Sequence, residues 1–147
     1  MWRDILDNMI PGWDISPPAT LTEIAELERT LQVPLPDELK EFLTEINGFC
    51  SPSGCDFSWS TLNIGVWNQV FRSNQETKEC YMPLDNLLFF GGDSDWTFGY
   101  AINANGEVVR PDIYLWDSHS DNRECVANGL QDYLKQCASG EFGPDWC

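Results

Sequence analysis

Residues 20–48, TLTEIAELERTLQVPLPDELKEFLTEING, decide the fold. Thr20 followed by Glu23 has the form of a capping box: the hydroxyl accepts a free backbone N–H and the carboxylate reaches back to the threonine amide. Leu21, Ile24, Leu27, Glu28 and Leu31 follow at helical spacing, and Pro34 forbids helical geometry at Val33. Pro36 restarts the helix where an N–H has no partner to lose, with Asp37 and Glu38 at the positive end of the dipole. Leu39, Phe42, Leu43 and Ile46 form the second apolar stripe, and Asn47-Gly48 supplies a left-handed stop. Two helices joined by Val33-Pro34-Leu35 are expected to pack face to face, since otherwise both stripes stay wet.

Upstream, Trp2, Ile5, Leu6, Met9 and Ile10 share one helical face, ended by Pro11-Gly12. Downstream the period changes. Phe57 to Phe71, with Trp59, Leu62, Ile64, Val66 and Trp67, reads as one or two strands, and Asn74 to Glu79 as loop. Leu87-Leu88-Phe89-Phe90 is a short apolar run closed by Gly91-Gly92-Asp93. The clearest strand alternates Trp96, Phe98, Tyr100 and Ile102 with Thr97, Gly99, Ala101 and Asn103. Asn105-Gly106 predicts a hairpin into Glu107-Val108-Val109, both turn positions taking positive φ. Ile113 to Trp116 is a further strand and Asp117 to Glu124 an acidic loop. Val126, Leu130, Tyr133, Leu134 and Cys137 mark a closing helix that Gly140 ends. The expectation is one α+β domain over residues 1–147: a helical pair, a mostly antiparallel sheet and a C-terminal helix.

A chain of 147 residues buries ~68–70% of its unfolded surface and folds without staples. Its 42% hydrophobic and 13% aromatic content excludes a disordered or low-complexity chain. Charge is the outlier: 24 acidic residues against 8 basic, net −16. Duplex DNA and anionic membranes would be repelled, so neither is an expected partner, and a basic protein is the natural complement. The competing reading is that the acidity only serves solubility. No run reaches the ~20 apolar residues of a membrane span, and Met1-Trp2-Arg3-Asp4 carries acid where a secretory signal is basic. A cytoplasmic home is therefore expected, with the six cysteines reduced.

No chemistry emerges from the motifs. There is no Cys-x-x-Cys pair, so a zinc site would need distant cysteines to converge. His119 is the sole histidine, and in Asp117-Ser118-His119-Ser120-Asp121 the neighbours are too close in sequence to converge as a triad. Asp93-Ser94-Asp95 opens like a calcium loop, but Phe98 and Ala104 stand where glycine and glutamate belong. Gly91-Gly92 is explained by a turn. Neither metal, cofactor nor catalytic residue is expected. What survives is a protein-binding surface: Asp93, Asp95 and Trp96 at one loop, and Trp116, Asp117, Asp121 and Glu124 at another. The competing reading makes both indoles core residues ending strands, with the acids simply solvated.

Ala19-Thr20-Leu21-Thr22-Glu23-Ile24-Ala25-Glu26-Leu27-Glu28, Val33-Pro34-Leu35-Pro36-Asp37-Glu38-Leu39-Lys40-Glu41-Phe42-Leu43 and Ile46-Asn47-Gly48 resemble the SUKH superfamily, named partly for a fungal cell-wall synthesis regulator. Phe90-Gly91-Gly92-Asp93, Tyr100-Ala101-Ile102, Gly106-Glu107-Val108 and Val126-Ala127 before Leu130-Gln131-Asp132-Tyr133-Leu134 are similar to its later stretches. The likeness covers roughly residues 17–48 and 84–138. Gln32 stands where a glycine is common, and Cys50 to Met82 do not align. The resemblance implies a non-catalytic α+β binding domain. Many bacterial members look like immunity proteins that neutralise a cognate secreted toxin domain, often a nuclease. Eukaryotic relatives imply instead a scaffold or regulatory domain. A third reading, a hydrolase using carboxylates, would show itself by a bell-shaped pH profile. The first reading calls for a monomer or weak homodimer facing a basic toxin domain.

Overall fold

The computed structural model describes residues 2–9, 12–52, 54–74, 79–84, 86–93 and 95–139. Along them run α1 (Trp2–Met9), β1 (Asp14–Ile15), α2 (Leu21–Leu31), α3 (Asp37–Glu45), β2 (Phe49–Cys50), α4 (Thr61–Ser73), β3 (Leu87–Gly92), β4 (Trp96–Ala101), β5 (Ile113–Asp117), β6 (Asn122–Ala127) and α5 (Leu130–Ser139). The architecture is α+β. Strands β3-β4-β5-β6 form a four-stranded sheet in chain order, every pair antiparallel, and β1 pairs with β2.

The helical start forms as its residues require. Thr20 Oγ1 accepts from the Glu23 amide at 3.1 Å, and Glu23 Oε1 accepts from the Thr20 amide at 3.0 Å. Ile24, Leu27 and Leu31 are buried on α2, as are Leu39, Phe42 and Leu43 on α3. Leu21 is instead exposed at the first turn. The half-buried Glu28 belongs to the apolar margin because its Oε2 accepts from the Leu35 amide at 2.8 Å, tying the connection to α2. The two stripes do not chiefly meet one another. α2 packs mainly along α4, while α3 touches α1 as well as α2: Phe42 lies edge-on to Trp2 of α1 and to Phe49 of β2.

On one face of the sheet Leu88, Phe98, Tyr100, Ile113 and Leu115 are buried, and Phe98 packs edge-on to Tyr133 of α5. The Tyr133 hydroxyl donates to the Phe57 carbonyl at 2.6 Å. On the other face Phe89 and Trp116 receive Phe71 of α4. Gly91 is required where β3 ends, since a Cβ there would stand 2.1 Å from the Phe57 carbonyl oxygen.

Four sequence expectations are corrected. Residues 61–73 are helix, not strand: Ser60 caps it by accepting from the Asn63 amide, and Ile64, Gly65 and Asn68 turn inward at helical spacing. Glu107-Val108-Val109 form no strand; Asn103 Oδ1 holds the Asn105 and Glu107 amides, and of the turn pair only Gly106 takes positive φ. Of the expected loop from Asp117 to Glu124 only residues 118–121 are a turn; Asn122 to Glu124 belong to β6, which also takes Val126 from the expected closing helix. Cys55 is disulfide-bonded, whereas Cys50, Cys80, Cys125 and Cys137 are free. The expected stops at Pro11 and Gly140 lie outside the described residues.

Candidate protein-binding surface

The β4–β5 register pairs Trp96 with Asp117, so the Asp93–Trp96 turn and the Ser118–Asp121 turn share one end of the sheet. Four of the seven residues singled out from sequence meet there. Asp93 Oδ1 accepts from the Asp95 and Trp96 amides at 2.9 and 3.0 Å. Asp95 Oδ1 lies 3.2 Å from His119 Nε2, and Asp117 Oδ1 accepts from the His119 amide. The Ser118 hydroxyl donates to the Asp95 carbonyl, so this Ser, His and Asp are arranged as interlocked turns. Trp96 is half-buried beside them.

The other three separate. Trp116 is 2% exposed, its ring enclosed by Phe71, Tyr81 and Phe89, which places it in the core rather than on a surface. Its Nε1–H donates to Asp121 Oδ1 at 2.8 Å. Asp121 also accepts from the Met82 amide and from Arg123, whose guanidinium reaches the Met82 and Pro83 carbonyls. Burial alone would raise the Asp121 pKa, but these hydrogen bonds and the Arg123 charge outweigh it and hold the carboxyl below its ordinary range. Asp121 is therefore a structural anion. Glu124 is exposed on β6, cross-strand from Leu115.

A second surface was hidden by reading residues 57–71 as strand. On α4 the spacing of four places Leu62, Val66 and Val70 in one outward stripe, with Trp67 beside it. They are 73%, 44%, 39% and 42% exposed, respectively, while the opposite side of the helix is buried. Gly65 faces α2, a Cβ there standing 3.4 Å from Leu27 Cδ1, in van der Waals contact. The groove between the helices, about 320 Å³, runs from Leu62 and Val66 to Glu23 and Glu26. On the other flank a cleft of about 260 Å³ is walled by Trp59, Trp67 and Phe71 and carries Asp56 and Asp93. An apolar stripe bordered by carboxylates can bury itself against a partner while its rim selects for positive charge. The Ser60 cap and the 62/66/70 spacing were the available signals; the 62/64/66 alternation fitted a strand equally well.

Among the described residues no group of His, Cys, Asp and Glu could hold a metal ion, and no helix is long and apolar enough to cross a membrane.

A family model described as SUKH_6, SMI1-KNR4 cell-wall, matches residues 21–134. The match spans α2 from its first residue, the α4 surface, the whole large sheet and the start of α5. The chain belongs to the SUKH family. No curated protein matches it.

Proposed function

We propose that this chain is an immunity-type protein that binds and neutralises a cognate basic toxin domain, a nuclease being the class whose phosphate-holding cleft best complements it. The carrying observation is the α4 stripe: four exposed apolar side chains in one patch, with Glu23 and Glu26 on one flank and Asp56 and Asp93 on the other. Solubility alone explains acid on a surface; it does not explain Leu62 and Trp67 standing in water among those acids. A net charge of −16 speeds encounter with a basic surface, and the stripe supplies the desolvated centre that holds it. The action is by coverage, with no catalytic group, in the cytoplasm, as a monomer or weak homodimer.

Co-expression with a toxin domain encoded beside its gene tests this. Growth is expected to be restored, with a one-to-one complex that weakens as salt rises. The absence of both rescue and complex would end the proposal. The cell-wall wording of the family description favours a second reading, a regulatory scaffold. A gene without a toxin neighbour would support that one.

A further inference from the structure

The cleft beside Trp67 has a more specific chemistry than the rest of the surface. Trp59 and Trp67 face one another across 6.3 Å between ring centroids at 37°, and Phe71 lies 6.1 Å from Trp67 at 31°, so aromatic surfaces inclined by only 30–40° line one opening. Trp59 is fixed: its Nε1–H donates to the Gly92 carbonyl at 3.0 Å. Gly54 and Gly92 keep the walls free of side chains. At the mouth, Asp56 has no ion-pair partner and no hydrogen bond through its carboxylate among the described residues. Neighbouring atoms nonetheless strip it of water enough to raise its pKa. Asp93 adds a second carboxyl group to the lining. The Asp56 carboxylate without a cation, set beside the exposed indole of Trp67, makes a site of unmet negative potential.

We propose that this cleft receives one guanidinium, the side chain of an arginine presented by the basic partner. A planar, weakly hydrated cation can lie on the indole of Trp67 and still direct N–H groups to Asp56, whereas a compact, strongly hydrated ammonium gains less from the ring faces. The inference rests on the binding reading above for the source of the arginine, but the chemistry of the cleft can be tested without any toxin.

The test is heteronuclear NMR of the whole chain, following indole and backbone N–H signals during titration with N-acetyl-arginine methylamide. Parallel arms use the lysine analogue and the citrulline analogue, which keeps the shape and lacks the charge. Saturable shifts are expected at the Trp67 and Trp59 indoles and the Gly92 amide with arginine, weaker ones with lysine and none with citrulline. Asp56→Asn or Trp67→Ala should weaken arginine binding about three- to thirtyfold. Trp67 packs on Trp59 and Phe71, so Asp56→Asn, at an exposed residue, is the variant that tests the cleft without disturbing that packing. Shifts equal for citrulline, lysine binding as tight as arginine, or titrations unchanged in both variants would each overturn the assignment. Failure here with a toxin complex still forming would remove the cleft and leave the functional reading standing.

Discussion

The side-chain amide of Asn68 bonds the backbone of Phe89 in both directions: Nδ2 donates to the Phe89 carbonyl at 2.8 Å, and Oδ1 accepts from the Phe89 amide at 3.0 Å. β3 is an edge strand, and such an edge normally leaves its outward N–H and C=O groups unpaired. Asn68 closes this one by imitating a neighbouring strand, and Trp59 and Arg72 assist by donating to the Phe90 and Leu87 carbonyls. The same contacts fix the azimuth of α4. Turning Asn68 inward turns Leu62, Val66 and Val70 outward.

Asn68→Ala should therefore cost about 2–4 kcal/mol, since it strands two buried backbone groups and leaves a void. Urea denaturation measures this; a loss below about 0.5 kcal/mol would show that the amide does not hold the edge.

Asp121 joins Trp116, Met82 and Arg123. Asp121→Ala is expected to cost about 1–3 kcal/mol at pH 7, because the Trp116 and Met82 N–H groups lose their acceptor. The folded pKa is depressed, so the carboxylate's contribution is present above its unfolded value of about 3.9 and lost as pH falls through the folded pKa. The difference between wild type and variant should accordingly shrink below about pH 4 in thermal melts. A difference constant from pH 7 to pH 2 would contradict this.

Glu38 has the opposite sign. Burial raises its pKa, opposed by hydrogen bonds from the Tyr100 hydroxyl and the Leu130 amide to Oε1, with Glu41 adding a smaller upward push. A raised folded pKa means stability that is fully present below the unfolded value and lost as pH rises through the folded one. Glu38→Gln keeps an acceptor for both donors and carries no charge to desolvate. Its stability relative to wild type should rise between pH 4 and pH 7; a fall over that interval in chemical denaturation would contradict the assignment.

How much of this was legible in the sequence depends on where the deciding contacts lie. The α2 cap, the α3 stripe and the β4 alternation are local patterns, and their residues occupy the expected elements except Ile46, Ile102 and Asn103, which fall just beyond them. α4 was misread because its inward side contains a glycine and an asparagine in place of large apolar residues. Gly65 is inward against Leu27 and Thr30 of α2, and Asn68 because a strand edge needs a partner; both neighbours lie across the fold from the helix itself. The site suffered with it. Asp93, Asp95, Trp96 and Asp117 do converge, yet Trp116 and Asp121 are held by Phe71, Tyr81 and Met82, whose proximity no spacing announces. Glu124 lies on a strand that its polar sequence did not suggest.

The most direct measurement is the dissociation constant between the purified chain and a catalytically inactive form of the neighbouring-gene toxin domain, by calorimetry, for two aspartate variants. Val66→Asp charges the centre of the α4 stripe; Val109→Asp charges a still more exposed valine in the β4–β5 connection, at the far end of the sheet from Asp93. If coverage by α4 is the mechanism, Val66→Asp weakens binding at least about thirtyfold and Val109→Asp by less than about twofold. Equal affinities for the two variants would contradict it.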